Sequence, residues 1–346
     1  MLNIKDLQSS GRFTIHRRLR SSGLWDVYET HDRERNALVA LKVFPFTSDS
    51  DVDRLQEQFR ALSQISHPNI MLLYDFGCGE TSCFIAGELV EGVTIIDYVR
   101  PPSRSGDDLS TLNEDRLRSV FRQLATAIEA LHEKGLVHCD LKPSNVLVTS
   151  EARLVIVDFG DLKHVGEKSL EEKTELVGTP NYMSPEQAGQ LPVTGASDWY
   201  SVGVMLYEAL TGRLPFSGEL LEVIKNKRSL DPLPPVEVAP GIPKDLSDLC
   251  MHLLERDPPK RPTGQEVLQL LEHGPTTPHG KDLNELMEKL PPDSHGEVLR
   301  FIESLFERQV KANRKLQQNW AGGLSDYREK YTSLELQKRA LDWRGD

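Results

Sequence analysis

Within eight residues, the stretch His138-Cys139-Asp140-Leu141-Lys142-Pro143-Ser144-Asn145 holds a carboxylate able to act as a base, a cation and an amide. Twelve residues beyond Val146 comes Asp158-Phe159-Gly160, at the end of the apolar run Leu154-Val155-Ile156-Val157. Val146-Leu147-Val148 and Leu154 to Val157 read as two short strands joined by the polar turn Thr149-Ser150-Glu151-Ala152-Arg153. A ribbon of that kind brings Asp140, Asn145 and Asp158 to one mouth. Two acids, an amide and a lysine converging there suit magnesium and a phosphorylated substrate, since hard cations take oxygen ligands.

Other segments must hold that mouth in place. Phe13-Thr14-Ile15, Trp25 to Thr30 and Leu38 to Phe44 alternate in strand fashion and predict an antiparallel meander. Asp51 to Ile65 spaces Leu55, Phe59, Leu62 and Ile65 as a helix, which His67-Pro68-Asn69 stops, because proline disfavours helical backbone in the residue before it. Strands over Ile70 to Phe76 and Cys83 to Leu89 complete a small first domain of five strands and one helix. The pattern then turns helical. Asn113 to Lys134 carries Leu117, Val120, Phe121, Leu124, Ile128 and Leu131 on one face and stops at Gly135. Glu186 to Gly189, Ala196 to Thr211, Leu220 to Lys227, Leu246 to Glu255 and Gly264 to Glu272 are further helices. Pro232 to Pro243 reads as a loop. The expected division is 1–90, 91–273 and 274–346.

Bulk properties narrow the function. The 346 residues are enough for two domains, with 38% hydrophobic and 27% charged residues. A formal net charge of −12 disfavours nucleic acid or an anionic membrane surface as partner, since phosphate backbones are held by clustered Lys and Arg. Met1 to Gly11 has no apolar signal segment, and no run reaches the roughly 18 apolar residues of a membrane span. A cytoplasmic protein without a membrane span is the expectation. Cys78, Cys83, Cys139 and Cys250 lack zinc spacing. Cys78 and Cys83 flank a predicted hairpin turn, where ordinary thiols are preferred to a disulfide or a metal pair.

The order of parts over residues 12–273 resembles a protein kinase catalytic domain, in the style of the eukaryotic-like Ser/Thr kinases of bacteria. The phrases that carry the resemblance begin with Val39-Ala40-Leu41-Lys42, His67-Pro68-Asn69-Ile70, the stretch from His138 to Asn145, and Asp158-Phe159-Gly160. They continue with Gly178-Thr179-Pro180-Asn181-Tyr182-Met183-Ser184-Pro185-Glu186, Asp198-Trp199-Tyr200-Ser201-Val202-Gly203 and Arg261-Pro262-Thr263. The resemblance implies an α+β, two-lobed fold: a small antiparallel-sheet lobe with one helix, a larger helical lobe, and a helical C-terminal tail. It implies ATP and Mg²⁺ as cofactors and phosphoryl transfer to Ser/Thr hydroxyls of a protein substrate. Lys42 would bind the α- and β-phosphates, and Asn145 and Asp158 would hold the metal. Asp140 would be the base, Lys142 would steady the transferred phosphate, and Thr179 would pair with both. Adenine would hydrogen-bond backbone groups of Glu88 and Val90 between Val27, Ala40 and Leu147. Asp198 would brace the catalytic loop and Arg261 would pair with Glu186.

Four positions depart from the family pattern. The three glycine places of the phosphate-covering loop hold Arg20, Ser22 and Trp25, with only Gly23 between them, so side chains crowd a lid where backbone N–H groups usually approach the nucleotide. Gln58 stands where a glutamate usually pairs with the strand lysine, and a neutral amide can still hydrogen-bond Lys42. Glu57 is about 100° around the helix and does not substitute. Cys139 replaces the arginine that reads a phosphorylated activation segment, so Ser169 and Thr174 lack the usual clamp. Gly87 falls at the gate of the adenine pocket and predicts an unusually open cavity. An active kinase is the first reading, because the groups for metal and transferred phosphate are all present. A pseudokinase switch is the alternative that the glycine-poor lid and Gln58 favour. The segment from Gly178 to Glu186 resembles a peptide platform and argues against a small-molecule kinase.

Pro275 to Gly280 reads as a linker. Beyond it, Val298, Ile302, Leu305, Phe306 and Val310 form one stripe, and Leu324, Tyr327, Tyr331 and Leu334 form a second. Two readings of residues 297–341 stay open: helices docked on the preceding lobe, or a surface for a partner or for self-association. Sustained heptads are absent, which argues against a long coiled coil.

Overall fold

The computed structural model describes residues 11–22, 25–46, 48–79, 81–101, 112–167 and 181–272. All of them lie in the first of two units, Met1–Pro275 and Thr276–Asp346. The stripes read over 297–341, together with Gly23, Ser169, Thr174, Gly178 and Thr179, fall outside the described residues.

The small lobe is a five-stranded antiparallel sheet in the order β1-β2-β3-β5-β4. Its strands are β1 (Phe13–Ser21), β2 (Asp26–Asp32), β3 (Ala37–Pro45), β4 (Leu73–Cys78) and β5 (Ser82–Glu88), with helix α1 (Asp49–Ser63) between β3 and β4. Side chains alternate across a pleated strand. Val39, Leu41 and Val43 therefore enter a core with Phe13, Tyr28 and Ala86, while Ala40 and Lys42 turn to the opposite face. Irregular register between Ile15 and Arg17, and again between Arg18 and Arg20, bends β1. Helix α1 starts where the Ser48 hydroxyl accepts from the Asp51 N–H, and it buries Leu55 and Leu62.

The larger lobe is built on α3 (Glu114–His132) and α5 (Gly195–Thr211). Between β5 and α3 lie β6 (Val93–Thr94) and α2 (Ile95–Val99), and between α3 and α5 lie the short strand β7 (Leu136–Val137) and the one-turn helix α4 (Pro185–Ala188). Asn113 caps α3 by accepting from the Arg116 N–H, and Gly135 after it takes a left-handed φ of 70° that suits glycine. The predicted apolar face of α3 from Leu117 to Leu131 is buried. Helix α5 is buried nearly all round, as expected of an apolar run broken only at a few polar positions such as Ser201 and Glu208. The two lobes are tied at His67-Pro68-Asn69. The Asn69 side chain donates to the Leu154 carbonyl at 2.7 Å, and the Met71 N–H donates to Ile156 at 3.0 Å.

Several expectations need correction. Cys78 and Cys83 form a disulfide rather than free thiols. They face each other directly across the β4–β5 ladder, which brings their side chains together. The stretch expected as loop contains a short helix, Pro235–Val238, with proline in its first turn, where the missing N–H costs nothing. The strand expected from Ile70 begins at Leu73, because Ile70 forms only an isolated bridge to Ile156. Among the described residues, no helix is long and apolar enough to cross a membrane.

Candidate active site

The ribbon read from the sequence exists. β8 (Val146–Val148) pairs antiparallel with β9 (Leu154–Ile156) and, on its other edge, with β6. A one-turn 3-10 helix, Pro143–Asn145, leads into β8, and the Val157 N–H donates to the Asn145 carbonyl at 2.9 Å. That single backbone bond sets Asp158 beside Asn145. Asn145 is fully buried and its Nδ2 donates to the Asp140 carbonyl (2.8 Å) and to Asp140 Oδ2 (2.9 Å). Lys142 Nζ donates to both oxygens of Asp140, at 2.8 and 2.7 Å. The three residues named as catalytic are thus one hydrogen-bonded cluster.

Across the cleft, Lys42 Nζ lies 2.5 Å from Asp158 Oδ1, and the Gly160 N–H donates to the same oxygen at 3.1 Å. Burial by itself would raise the Asp158 pKa, but the Lys42 charge and hydrogen bond, helped by Arg20 and His138, hold it below the usual carboxylate value. Asp158 is therefore anionic at neutral pH. Gln58 does not join this pair: its Nε2 donates to the Leu162 carbonyl at 3.0 Å. The expected Gln58–Lys42 hydrogen bond is replaced by Lys42–Asp158, an ion pair that a neutral amide cannot outcompete. Glu57 is exposed.

A cavity of about 360 Å³ opens above this floor. Val27, Ala40 and Leu147 line it, with Glu88, Leu89 and Val90 at its edge and Lys42 and Asp158 at its polar end. Its volume lies in the range of small-molecule sites. Gly87 pairs with Ala40 in the sheet but does not line the cavity. A Cβ there would sit 2.9 Å from the Leu72 carbonyl oxygen and 3.2 Å from Met71 Cε. Glycine is thus needed for a close backbone approach, and Met71, from the neighbouring segment, stands where a gate side chain would. The Glu88 carboxylate is held by Arg153, at 2.6 and 3.1 Å, a contact that sequence patterns did not suggest.

The loop that carries Asp140 is braced from below. Asp198 is fully buried, and its carboxylate accepts the backbone N–H groups of His138 (2.8 Å) and Cys139 (2.9 Å). Cys139 takes a φ of 64°, and its carbonyl accepts from Gln187 Nε2 at 2.8 Å, so protein groups alone hold the turn. Burial raises the Cys139 thiol pKa, and the thiol stays protonated. His132 completes the brace, with Nε2 2.8 Å from Asp198 Oδ2. Burial works against the imidazolium, but hydrogen bonds to Asp198 and Glu129 outweigh it and raise the His132 pKa to about 9.

The unfolded value is about 6.5. A raised folded pKa means that the stabilisation is complete below pH 6.5 and is lost as pH rises through about 9. Lys227, whose burial lowers its pKa to about 7, acts in the opposite sense. The comparison is therefore between wild type and His132→Gln. Wild type is expected to be more stable at pH 6 by on the order of 2 kcal/mol, with the advantage shrinking towards pH 10. Tm measured across that range checks this, and a pH-independent difference contradicts it.

The oxygens of Asn145 and Asp158 fit a hard divalent cation. Among the described residues, no cluster of three or more His, Cys, Asp or Glu could hold a metal. A cation at this mouth would draw its remaining ligands from phosphate and water, the pattern Mg²⁺ favours.

Comparisons with known proteins identify the family. The family model described as "Protein kinase domain" matches residues 21–273. One described as "Protein of unknown function (DUF2281)" matches residues 282–340. The chain is 35% identical to the serine/threonine-protein kinase pkn2 of Myxococcus xanthus, over 78% of this chain and 33% of the relative. It is 31% identical to the probable serine/threonine-protein kinase PknB of Lactococcus lactis, over 74% of this chain and 41% of the relative. It is 30% identical to the serine/threonine-protein kinase PrkC of Bacillus subtilis, over 72% of this chain and 38% of the relative. The matched region thus spans only about a third to two fifths of these curated relatives.

Proposed function

The chain belongs to the protein kinase domain family, and from that premise we propose that it transfers the γ-phosphoryl group of ATP to Ser and Thr hydroxyls of protein substrates. One observation carries the reading: Lys42, Asp158, Asn145, Asp140 and Lys142 converge at the polar end of a cavity whose walls are Val27, Ala40 and Leu147. Phosphoryl transfer asks for positioning and charge stabilisation more than for covalent chemistry, and this arrangement supplies both.

The apolar walls take the adenine, with backbone groups of Glu88 and Val90 at its edge. Lys42 binds the α- and β-phosphates. Asp158 and Asn145 would hold Mg²⁺, which when bound neutralises charge on the phosphate oxygens. Asp140 accepts the substrate hydroxyl proton, and Asn145 Nδ2 fixes that carboxylate. Lys142, which donates to both oxygens of Asp140, orients that carboxylate and would steady the transferred phosphate. Its position two residues after the base supports Ser/Thr rather than Tyr as acceptor. We assign the reaction to the cytoplasm, where ATP is supplied. We also assign residues 297–341 to a partner or to self-association, supported by the two apolar stripes.

Phosphoamino-acid analysis of a protein substrate labelled from γ-labelled ATP tests the reading. Phosphoserine and phosphothreonine are expected. An unlabelled substrate, with nucleotide still raising the Tm of the protein, would instead make the chain a nucleotide-binding switch.

A further inference from the structure

Arg20 occupies the first glycine place of the lid, on bent strand β1, and its guanidinium reaches down to the catalytic floor. Nη1 donates to Asn145 Oδ1 at 2.8 Å and to the Ser144 carbonyl at 3.3 Å, and Nη2 donates to Ser144 Oγ at 3.0 Å. Nη1 also lies 3.9 Å from Asp158 Oδ2. The Trp25 ring, at the third glycine place, backs the guanidinium at 5.1 Å and the Lys42 ammonium at 4.1 Å. A fixed monovalent cation thus sits on the same two side chains that would hold a divalent one.

The charge balance of the site points the same way. A nucleotide polyphosphate needs positive charge, and Lys42 already neutralises Asp158 at 2.5 Å. The Arg20 side chain is 34% exposed and lines the cavity, and its Nε has no acceptor among the described residues. A guanidinium is a planar fork with five donors, so it can keep Asn145 and still offer N–H groups to phosphate oxygens.

We propose that Arg20 is a built-in counter-cation of the nucleotide site. The cleft binds the phosphate tail of a nucleoside di- or triphosphate without a divalent ion, and a divalent ion that enters competes with Arg20 for Asn145 and Asp158. Arg20 replaces by charge what the missing lid glycines would supply through backbone N–H groups. The inference rests on the nucleotide reading of the cavity given above.

Calorimetric titration of the full chain with ADP, in EDTA and again in Mg²⁺, tests it without reference to turnover. Wild type is expected to lose less than about threefold in affinity when Mg²⁺ is removed. Arg20→Gly is expected to lose at least about tenfold, and to recover with Mg²⁺, since a charge-assisted hydrogen bond carries that much. Arg20→Gln, which keeps the stem but not the charge, should follow Arg20→Gly. Equal Mg²⁺ dependence in all three proteins overturns the proposal, as does a loss on substitution that is the same in both buffers, which is what a mere tie between lobes would give. Wild type that binds no ADP in either buffer, with its Tm intact, overturns the nucleotide reading itself.

Discussion

Replacing Asp140 with asparagine is expected to lower turnover by about 10²–10⁴-fold, the usual contribution of a positioned general base. Nucleotide affinity should change less than about threefold. Asparagine has the shape of aspartate and retains an oxygen for Lys142 and for Asn145 Nδ2, so the cluster that now holds Asp140 at 2.7–2.9 Å keeps its scaffold. It cannot take a proton from a hydroxyl. The effect should therefore appear in kcat and in kcat/KM together, the signature of a group that acts in the transition state rather than in substrate binding. Steady-state kinetics with a peptide substrate, alongside ADP titration, separates the two. A rise in KM at constant kcat would make Asp140 a binding group and would remove the base from the proposed mechanism.

Removing Arg261 should have the largest effect on stability. Its side chain is fully buried, and Nη1 and Nη2 meet the two oxygens of Glu186 at 2.7 and 2.9 Å. Nη1 also donates to the Ala196 carbonyl and Nε to the Glu255 carbonyl, each at 2.7 Å, and the guanidinium lies 4.9 Å from the Tyr200 ring centroid. Burial would raise the Glu186 pKa, but the Arg261 hydrogen bonds and charge outweigh it and keep the carboxylate ionised. Arg261→Ala leaves that carboxylate buried without its counter-charge, and the expected cost is about 3–5 kcal/mol. A domain has only about 5–15 kcal/mol in total. Urea unfolding should show a lower midpoint at unchanged slope. Glu186→Gln, which keeps the shape and one acceptor, should cost less, and it gives a measurable variant if Arg261→Ala does not fold. A loss below about 1 kcal/mol for Arg261→Ala would mean that the pair is not the clamp its geometry describes.

The chemistry-bearing floor was legible in the sequence because its parts are local. Asp140, Lys142 and Asn145 lie within six residues, and the ribbon that adds Asp158 needs only two three-residue strands and a turn. The long elements were legible from their patterns: Leu117 to Leu131 kept one face of a helix, and Trp199 to Leu210, interrupted only at Ser201 and Glu208, read as a buried helix. Short elements were not. Ile95–Val99 spans little more than one turn and shows no period, and Pro235–Val238 opens on prolines that read equally well as loop. The contacts between residues far apart in sequence were out of reach for a different reason. Arg20 and Asn145 are 125 positions apart, Glu88 and Arg153 are 65 apart, and His132 and Asp198 are 66 apart. Local pattern carries no information about which distant charges meet. A sequence reading treats Arg20 as bulk in a lid built for glycine. Its charge, in a place facing phosphate, was the one available signal.

The bracing of the loop has a consequence for control. His138, Cys139 and Gln187 fix the turn through Asp198 and through a backbone carbonyl, with no arginine at position 139 to answer a phosphate. In the proposed mechanism a base positioned by buried protein groups is set by folding itself, and its placement is expected to depend little on phosphorylation of the activation segment.

The most direct test of the central claim is transfer from γ-labelled ATP with Mg²⁺ to a generic protein substrate, run in parallel for wild type, Asp140→Asn and Asp158→Ala. The site described above predicts label on the substrate with wild type and its loss, by about 10²-fold or more, in both variants. Transfer that survives both substitutions would contradict it.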